Sequence, residues 1–209
     1  MILFIFTGSL RVLAIQRMPE DSINHKQNTD CWQAFIEGNR NALGILFSRH
    51  YSDLFRYGNK ICTDTELLED CIQELFIELW QSKNPPPSIS VKAYLLKAIK
   101  YKLLKALHKR SNTRLQAEIP ENIYFEISHE TFIIDKQEHA EKTARVIKAL
   151  EQLSTRQKEI IYLKFYQNLS YEEVSDIMNI NYQVARNLLS QAIKTMKKII
   201  QRLPLLFLA

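Results

Sequence analysis

One stretch, Ser170 to Met196, constrains the fold most strongly, because it predicts two short helices joined by a tight turn. Ser170 and Glu173 have the spacing of a capping box, in which two side chains satisfy free backbone N–H groups at the start of a helix. The turn is predicted at Asn179–Asn181, since Asn tolerates the left-handed backbone that such a turn needs. Asn181 is also a favourable N-cap for the second helix.

The second helix of this stretch is predicted to bury one face and to expose the other. Its buried seam has the spacing i, i+4, i+7 and i+11 and consists of Ala185, Leu189, Ala192 and Met196. The residues that face outward are Tyr182, Gln183, Arg186, Asn187, Ser190 and, further along, Lys194. This is the arrangement of a helix-turn-helix whose second helix presents its first turns to the DNA major groove. An ordinary helical hairpin with a solvated face is the alternative interpretation.

The composition favours an all-α protein with an anionic partner. Only 4 Gly and 6 Pro occur in 209 residues, and the net charge is +5 at pH 7. Cys31, Cys62 and Cys71 form no CxxC pair and have no His cluster beside them. We therefore expect reduced thiols in a cytoplasmic protein, and no metal site. Because no catalytic constellation is visible, we also expect no enzyme activity, no cofactor and no small-molecule substrate.

Residues 1–29 are predicted to form a disordered N-terminal lead-in. The first 15 residues, MILFIFTGSLRVLAI, are apolar but shorter than the roughly 18 residues that a membrane span needs. They also lack the basic region and the cleavage site of a signal peptide. A polar stretch typical of a disordered segment follows Met18, and we expect translation to begin naturally at that residue.

Residues 30–111 predict a first helical domain. Asp30 is expected to cap its first helix, Gly38 to end that helix, and a second helix to follow from about Asn39 to Lys60. Thr63 and Glu66 predict a capping box for a third helix over residues 63–80.

The third helix has an acidic outer face, and residues 61–80 contain no Lys or Arg. Like charges on one helix repel each other, so this face indicates a basic partner surface. A plain solvated acidic face is the alternative. The residues predicted to meet the partner share one side of the helix by spacing and are Asp70, Gln73, Glu74 and Ile77.

A basic amphipathic helix is predicted over residues 91–110, with seven Lys or Arg residues and no acidic residue. Such a helix can bind a membrane surface or a nucleic acid. Its apolar face matches the preceding helices, which favours nucleic acid. The predicted contacts are Lys97, Lys100, Tyr101, Lys105, His108 and Arg110.

An acidic, irregular stretch over residues 112–136 predicts a linker between two domains. Residues 137–202 predict the second helical domain, in which Ser154 and Gln157 form a further capping box ahead of the helix-turn-helix. The apolar residues 203–209 have no assigned role.

Four of these segments, in order, resemble an extracytoplasmic-function sigma factor, a small bacterial promoter-specificity subunit. Residues 32–57 resemble its region 2.1, and residues 67–80, LLEDCIQELFIELW, are similar to region 2.2, which docks on RNA polymerase. Residues 94–110 resemble regions 2.3 and 2.4, which melt and read the minus-ten element. Residues 150–199 resemble region 4, which reads the minus-thirty-five element.

The resemblance implies a two-domain, all-α transcription initiation factor that binds core RNA polymerase and promoter DNA. It also implies an anti-sigma partner, and we expect a monomer when the protein is free. The sequence departs from the family pattern at Tyr101, where Asn is usual, and at His108, where Arg is frequent.

Two other functions remain open from the sequence. The first is a stand-alone helix-turn-helix regulator with a receiver or ligand domain, although residues 30–110 show no alternation of strands and helices. The second is an anti-sigma or adaptor protein that binds polymerase without DNA, although the basic faces at residues 92–110 and 181–202 argue against it.

Overall fold

The computed structural model describes residues 19–82, 90–110, 125–126 and 140–202, and over these ranges the chain is helical without any strand, which confirms the predicted all-α class. The helices are α1 (Pro19–Ile36), α2 (Arg40–Gly58), α3 (Thr65–Gln81), α4 (Val91–Arg110), α5 (Ala140–Glu151), α6 (Thr155–Ile161), α7 (Tyr171–Met178) and α8 (Tyr182–Arg202). A π-helical segment, Tyr162–Tyr166, continues α6. The predictions for residues 1–18, for residues 203–209 and for most of the linker lie outside the described residues.

Helices α1 to α4 pack around a core of large aliphatic and aromatic side chains. Its fully buried members include Trp32, Leu46, Leu68 and Ile99, which the helical spacing predicts. Gly58 lies where α2, α3 and α4 meet, because a Cβ added there would clash with the Leu68 side chain of α3 and would lie 3.2 Å from Leu103 Cδ1 of α4.

Two predicted helix starts in this domain are wrong. Helix α1 begins at Pro19 and not at an Asp30 cap, because the fixed φ of proline suits a first helical position. Part of the predicted disordered lead-in is therefore helical. Helix α3 is capped by Asp64 and not by Thr63, since the Asp64 carboxylate accepts from the backbone N–H of Leu67 at 3.0 Å.

Helix α2 ends at Gly58, two residues before the predicted Lys60, and three other predicted helix boundaries are confirmed. Gly38 ends α1 with a φ of +99°, which glycine adopts without strain. Both halves of the Ser154–Gln157 capping box and of the Ser170–Glu173 capping box are formed.

The two domains are in contact. Helix α7 of the second domain packs on α4 of the first. Phe125, in the middle of the predicted linker, is buried between Tyr57 of α2 and Tyr162 of the π segment. The Glu126 N–H also donates to the Lys60 carbonyl at 2.9 Å, so this part of the linker is fixed to the first domain. Among the described helices, none is long and apolar enough to cross a membrane.

Candidate nucleic-acid interface

Helix α8 buries the first three residues of its predicted seam, and the fourth, Met196, is only half-buried. Ala185, Leu189 and Ala192 are each at most 3% exposed, and they pack against α5, α6 and α7. The turn before α8 is also as predicted, since Asn179 has a φ of 51° and the Asn181 side chain accepts from the Val184 N–H at 2.8 Å. These contacts fix the direction in which the opposite face of α8 points.

That opposite face is exposed along the first three turns of α8. The outward residues predicted from the sequence are all exposed: Tyr182, Gln183, Arg186, Asn187, Ser190 and Lys194. Gln183 Nε2 donates to Asn187 Oδ1 at 3.0 Å, and the Arg186 guanidinium carbon lies 5.9 Å from the centroid of the Tyr182 ring. These exposed side chains carry hydrogen-bond donors and acceptors of the kinds that can pair with base edges in a major groove.

The acidic face of α3 is exposed at every position predicted to meet a partner, namely Asp70, Gln73, Glu74 and Ile77. Ile77 is 52% exposed and Trp80 is 47% exposed, and both line an apolar groove between α2 and α3. The Arg40 guanidinium lies 4.5 Å from the Trp80 ring centroid and donates to the Trp80 carbonyl. The groove and the exposed carboxylates of Asp70 and Glu74 on α3 together suit a partner helix that carries both aliphatic and basic residues.

The sequence alone suggests that the acidic face of α3 has no cation beside it. In the structure, however, two of its carboxylates are paired with a lysine of α4. Lys102 of α4 lies 2.7 Å from Glu78 and 3.4 Å from Glu74. Both carboxylates remain mostly exposed, so these pairs contribute little to stability and their oxygens stay accessible to a second cation.

The basic face of α4 differs from the expectation of a uniformly exposed positive surface. Tyr101, Lys105 and Arg110 are exposed and His108 is half-buried, but Lys100 is only 5% exposed and Lys97 faces α7. Arg110 forms an ion pair with Asp64 at 2.5 Å. The structure therefore separates the six predicted contacts into an exposed group and a pair, Lys97 and Lys100, turned toward the second domain.

A buried polar cluster joins the two domains at Lys100. The Lys100 ammonium and the Tyr57 hydroxyl each donate to Glu159 Oε1 at 2.7 Å. Lys100 also lies 3.4 Å from the Ile177 carbonyl of α7. Burial, together with the adjacent Glu159 carboxylate, raises the pKa of Tyr57 well above its usual value, so the hydroxyl stays a proton donor.

Sequence reasoning missed Glu159 and Tyr57, which are 102 residues apart. Each lies in a helix with an ordinary apolar pattern, and helical spacing shows nothing of a contact between two domains. The π segment was also missed. It places the Tyr162 and Tyr166 rings 4.8 Å apart in a stacked pair, and Gln167 Nε2 donates to the Tyr162 hydroxyl at 3.1 Å.

The fold and these surfaces define a class of protein: a two-domain helical DNA-binding protein whose second domain is a helix-turn-helix. A family model for sigma-70 region 2 matches residues 46–113, and a model for sigma-70 region 4 matches residues 143–196. An ECF RNA polymerase sigma factor SigK from Mycobacterium sp. (strain JLS) is 23% identical over 165 residues, which cover 75% of this chain and 81% of that protein.

Two solved structures have a similar fold. The structure of CnrH in complex with the cytosolic domain of CnrY matches with a TM-score of 0.54 and 18% identity, over 85% of this chain and 99% of that chain. The sigma factor RpoE from Bartonella quintana, in complex with the anti-sigma factor NepR, matches with a TM-score of 0.51 and 17% identity. The match covers 77% of this chain and 98% of that chain.

The chain belongs to the sigma-70 family of RNA polymerase sigma factors and, within it, to the extracytoplasmic-function class. The two alternatives left open by the sequence do not fit. A sigma region 2 occupies the place where a regulator would carry a receiver or ligand domain. An adaptor that binds polymerase alone would not carry both sigma regions in this order.

Proposed function

We propose that this sigma factor binds core RNA polymerase through α3, reads the minus-thirty-five element with α8, and contacts the minus-ten element with α4. The observation that carries the proposal is the orientation of α8, whose buried seam leaves a polar face exposed at its N-terminal turns. A helix held in this way can enter the major groove without loss of the domain core.

The docking role of α3 is supported by its exposed acidic residues beside an apolar groove. Ile77 and Trp80 offer apolar area to a partner, while Asp70 and Glu74 offer charge next to it. A basic helix of polymerase would meet both features together, with the apolar contact at the centre and the charges at the border.

The role of α4 in opening DNA is supported by Tyr101, Lys105 and Arg110, which are exposed on one helix. An exposed aromatic ring can stack on an unpaired base, and the nearby cations can hold the phosphates of the strand. Lys97 and Lys100 would join this surface only when the second domain moves away from α4.

The partners and setting follow from this role. The protein would bind polymerase and promoter DNA as a monomer, in the cytoplasm where both occur, and would act as a bound subunit and not as an enzyme. One structurally similar sigma factor is in complex with an anti-sigma factor. By analogy we propose that an anti-sigma factor also regulates this chain.

A binding experiment tests the proposal. The full chain, tagged and immobilised, is incubated with core RNA polymerase, with promoter DNA from the same genome, and with both together. The proposal predicts capture of polymerase alone, and specific capture of DNA only when polymerase is present. Capture of DNA with no capture of polymerase would support a stand-alone regulator instead.

A further inference from the structure

Helices α2 and α3 run antiparallel beside the apolar groove, and a glycine lies in the wall that α2 contributes. The Phe47 and Phe76 rings meet edge to face, with centroids 5.0 Å apart, and the Arg40 guanidinium lies over the Trp80 ring. Gly44 lines the groove one turn after Arg40, and the groove has a volume of about 500 Å³. A groove of this volume can admit several side chains of a partner.

Packing within the chain does not explain why a glycine stands at this position. A Cβ built on Gly44 would meet nothing among the described residues within 4 Å, apart from the backbone of its own turn. Gly is less favourable than Ala in a helix interior, and Gly44 lies inside the 19-residue helix α2. A glycine suits a place where another backbone approaches closely. The open side of Gly44 therefore fits an approach by a partner.

The groove has opposite charges toward its two ends. At one end Arg40 is exposed, no acidic residue lies in the first turn of α2, and Glu37 just before it accepts a hydrogen bond from Gln33. Toward the other end is the exposed carboxylate of Asp70, which lies about 15 Å along α3 from Trp80. A helix that fills the groove would thus meet a cation at one end and a carboxylate at the other.

We propose that α2 supplies a second part of the polymerase contact, with Gly44 at the closest approach of a polymerase helix and Arg40 bound to an acidic residue of that helix. This role rests on the proposed docking of core polymerase on α3. The acidic residue would lie about three helical turns from the basic residues that meet α3, with aliphatic residues between them. The polarity of the groove would then admit that helix in one direction only.

Trp80 holds Arg40 in place before a partner arrives. The guanidinium lies 4.5 Å from the Trp80 ring centroid and donates to the Trp80 carbonyl. An arginine that is stacked on an aromatic ring can still bind a carboxylate with two parallel hydrogen bonds. Because its freedom is already limited, it loses less entropy when the acidic residue binds. A simple cap on the C-terminal end of α3 is the alternative role of Arg40.

Gly44→Leu in the full-length protein tests the closest approach. The new side chain would enter space that the folded protein leaves open, so the free energy of unfolding in urea should not fall. Binding of core RNA polymerase, measured by surface plasmon resonance, should weaken about tenfold, because the side chain occupies the place of the partner. Ser52→Leu is the matched control. It adds the same side chain at an exposed position of α2 outside the groove and should bind as wild type does.

Arg40→Gln separates the charge of Arg40 from its hydrogen bond. Glutamine can still donate to the Trp80 carbonyl, so a mere cap would be kept, but the attraction to an acidic residue is lost. We expect about fivefold weaker binding of core polymerase at about 50 mM salt, and a difference from wild type below about twofold at about 500 mM, because salt screens the attraction. Arg56→Gln removes the same charge from an exposed residue of α2 outside the groove and should match wild type at both salt concentrations.

Two results would overturn the contact at α2 and leave the proposed function intact. One is wild-type affinity for polymerase in Gly44→Leu, and the other is wild-type affinity in Arg40→Gln at both salt concentrations. If wild type itself does not bind core polymerase, the proposed function fails and the contact at α2 fails with it. If Gly44→Leu does not fold, Gly44→Ala replaces it. That variant adds only the Cβ, and we expect a smaller loss of affinity in the same direction.

Discussion

The guanidinium carbon of Arg186 lies 5.9 Å from the centroid of the Tyr182 ring, on the exposed side of α8. Tyr182 is itself held by an edge contact with Tyr171 of α7, with ring centroids 5.7 Å apart. The contact with Tyr182 limits the positions that the Arg186 side chain samples before it meets DNA. A side chain with restricted freedom loses less entropy on binding, which favours a specific contact.

Replacement of Arg186 by Ala should relax base preference at one position of the minus-thirty-five element. Arg commonly reads guanine with two hydrogen bonds, and loss of such a reader costs about 1–3 kcal/mol at that base pair. Selection from randomised minus-thirty-five DNA with the reconstituted holoenzyme measures the effect. Lys197→Ala is the control. Because Lys197 lies further along the exposed face, its replacement should weaken binding to all DNA sequences equally. A selected sequence logo that is the same for Arg186→Ala and wild type would exclude base reading.

Reversal of charge on α3 should weaken binding of core polymerase. We expect the double variant Asp70→Lys/Glu74→Lys to lose about tenfold in affinity, because like charges would then face each other across the interface. Surface plasmon resonance with core enzyme gives the affinity, and circular dichroism should show unchanged helical content. The double variant Asp30→Lys/Glu37→Lys carries the same charge change on α1 and at the residue that follows it, and should bind as wild type does. Equal losses in the two variants would point to net charge and not to an α3 interface.

Removal of the Tyr101 ring should slow promoter opening. The side chain is 37% exposed on α4, and stacking of an unpaired base on an aromatic ring is worth roughly 1–3 kcal/mol. Permanganate footprints of the melted bubble should therefore be weaker with Tyr101→Ala. Tyr101→Phe keeps the ring and should behave as wild type. Identical footprints for Tyr101→Ala and wild type would contradict the stacking role.

Acid should destabilise the protein through His50. Burial lowers the pKa of His50 from 6.5 to about 4, and the positive charges of Lys92 and Arg49 act in the same direction, against Asp53. Between these two values the unfolded chain binds a proton that the folded protein does not. The contribution of His50 to the free energy of unfolding is therefore fully present above pH 6.5. It is lost by about 1.4 kcal/mol per pH unit as the pH falls toward 4.

Urea unfolding at pH 7 and at pH 5 measures this loss, which should be about 2 kcal/mol larger for wild type than for His50→Gln. The comparison between the two proteins removes the effect of carboxylates, which titrate in both. If the two proteins lose the same free energy of unfolding, His50 is protonated as readily in the folded protein as in the unfolded chain.

The local parts of this fold follow from the sequence, and the parts that depend on distant contacts do not. The seam of α8 at Ala185, Leu189 and Ala192 is predicted because helical spacing and small apolar residues fix it locally. The left-handed backbone at Asn179 follows from residue type in the same way.

Lys100 shows the limit of such reasoning. On a helix with seven positive charges it has the pattern of a solvated or DNA-facing residue, yet it is 5% exposed and bound to Glu159. The sign of a charge does not tell whether its counter-charge comes from DNA or from another domain of the same chain. The predicted linker shows a similar limit, because Phe125 is buried by rings that lie far away in sequence.

The central claim is that this chain gives core RNA polymerase its promoter specificity. Sequencing of the transcripts made from genomic DNA by core polymerase, with and without this protein, tests it most directly. We predict a small set of defined start sites that appear only with the protein, share elements at minus ten and minus thirty-five, and lose the upstream element's base preference with Arg186→Ala. Identical transcripts with and without the protein would contradict the claim.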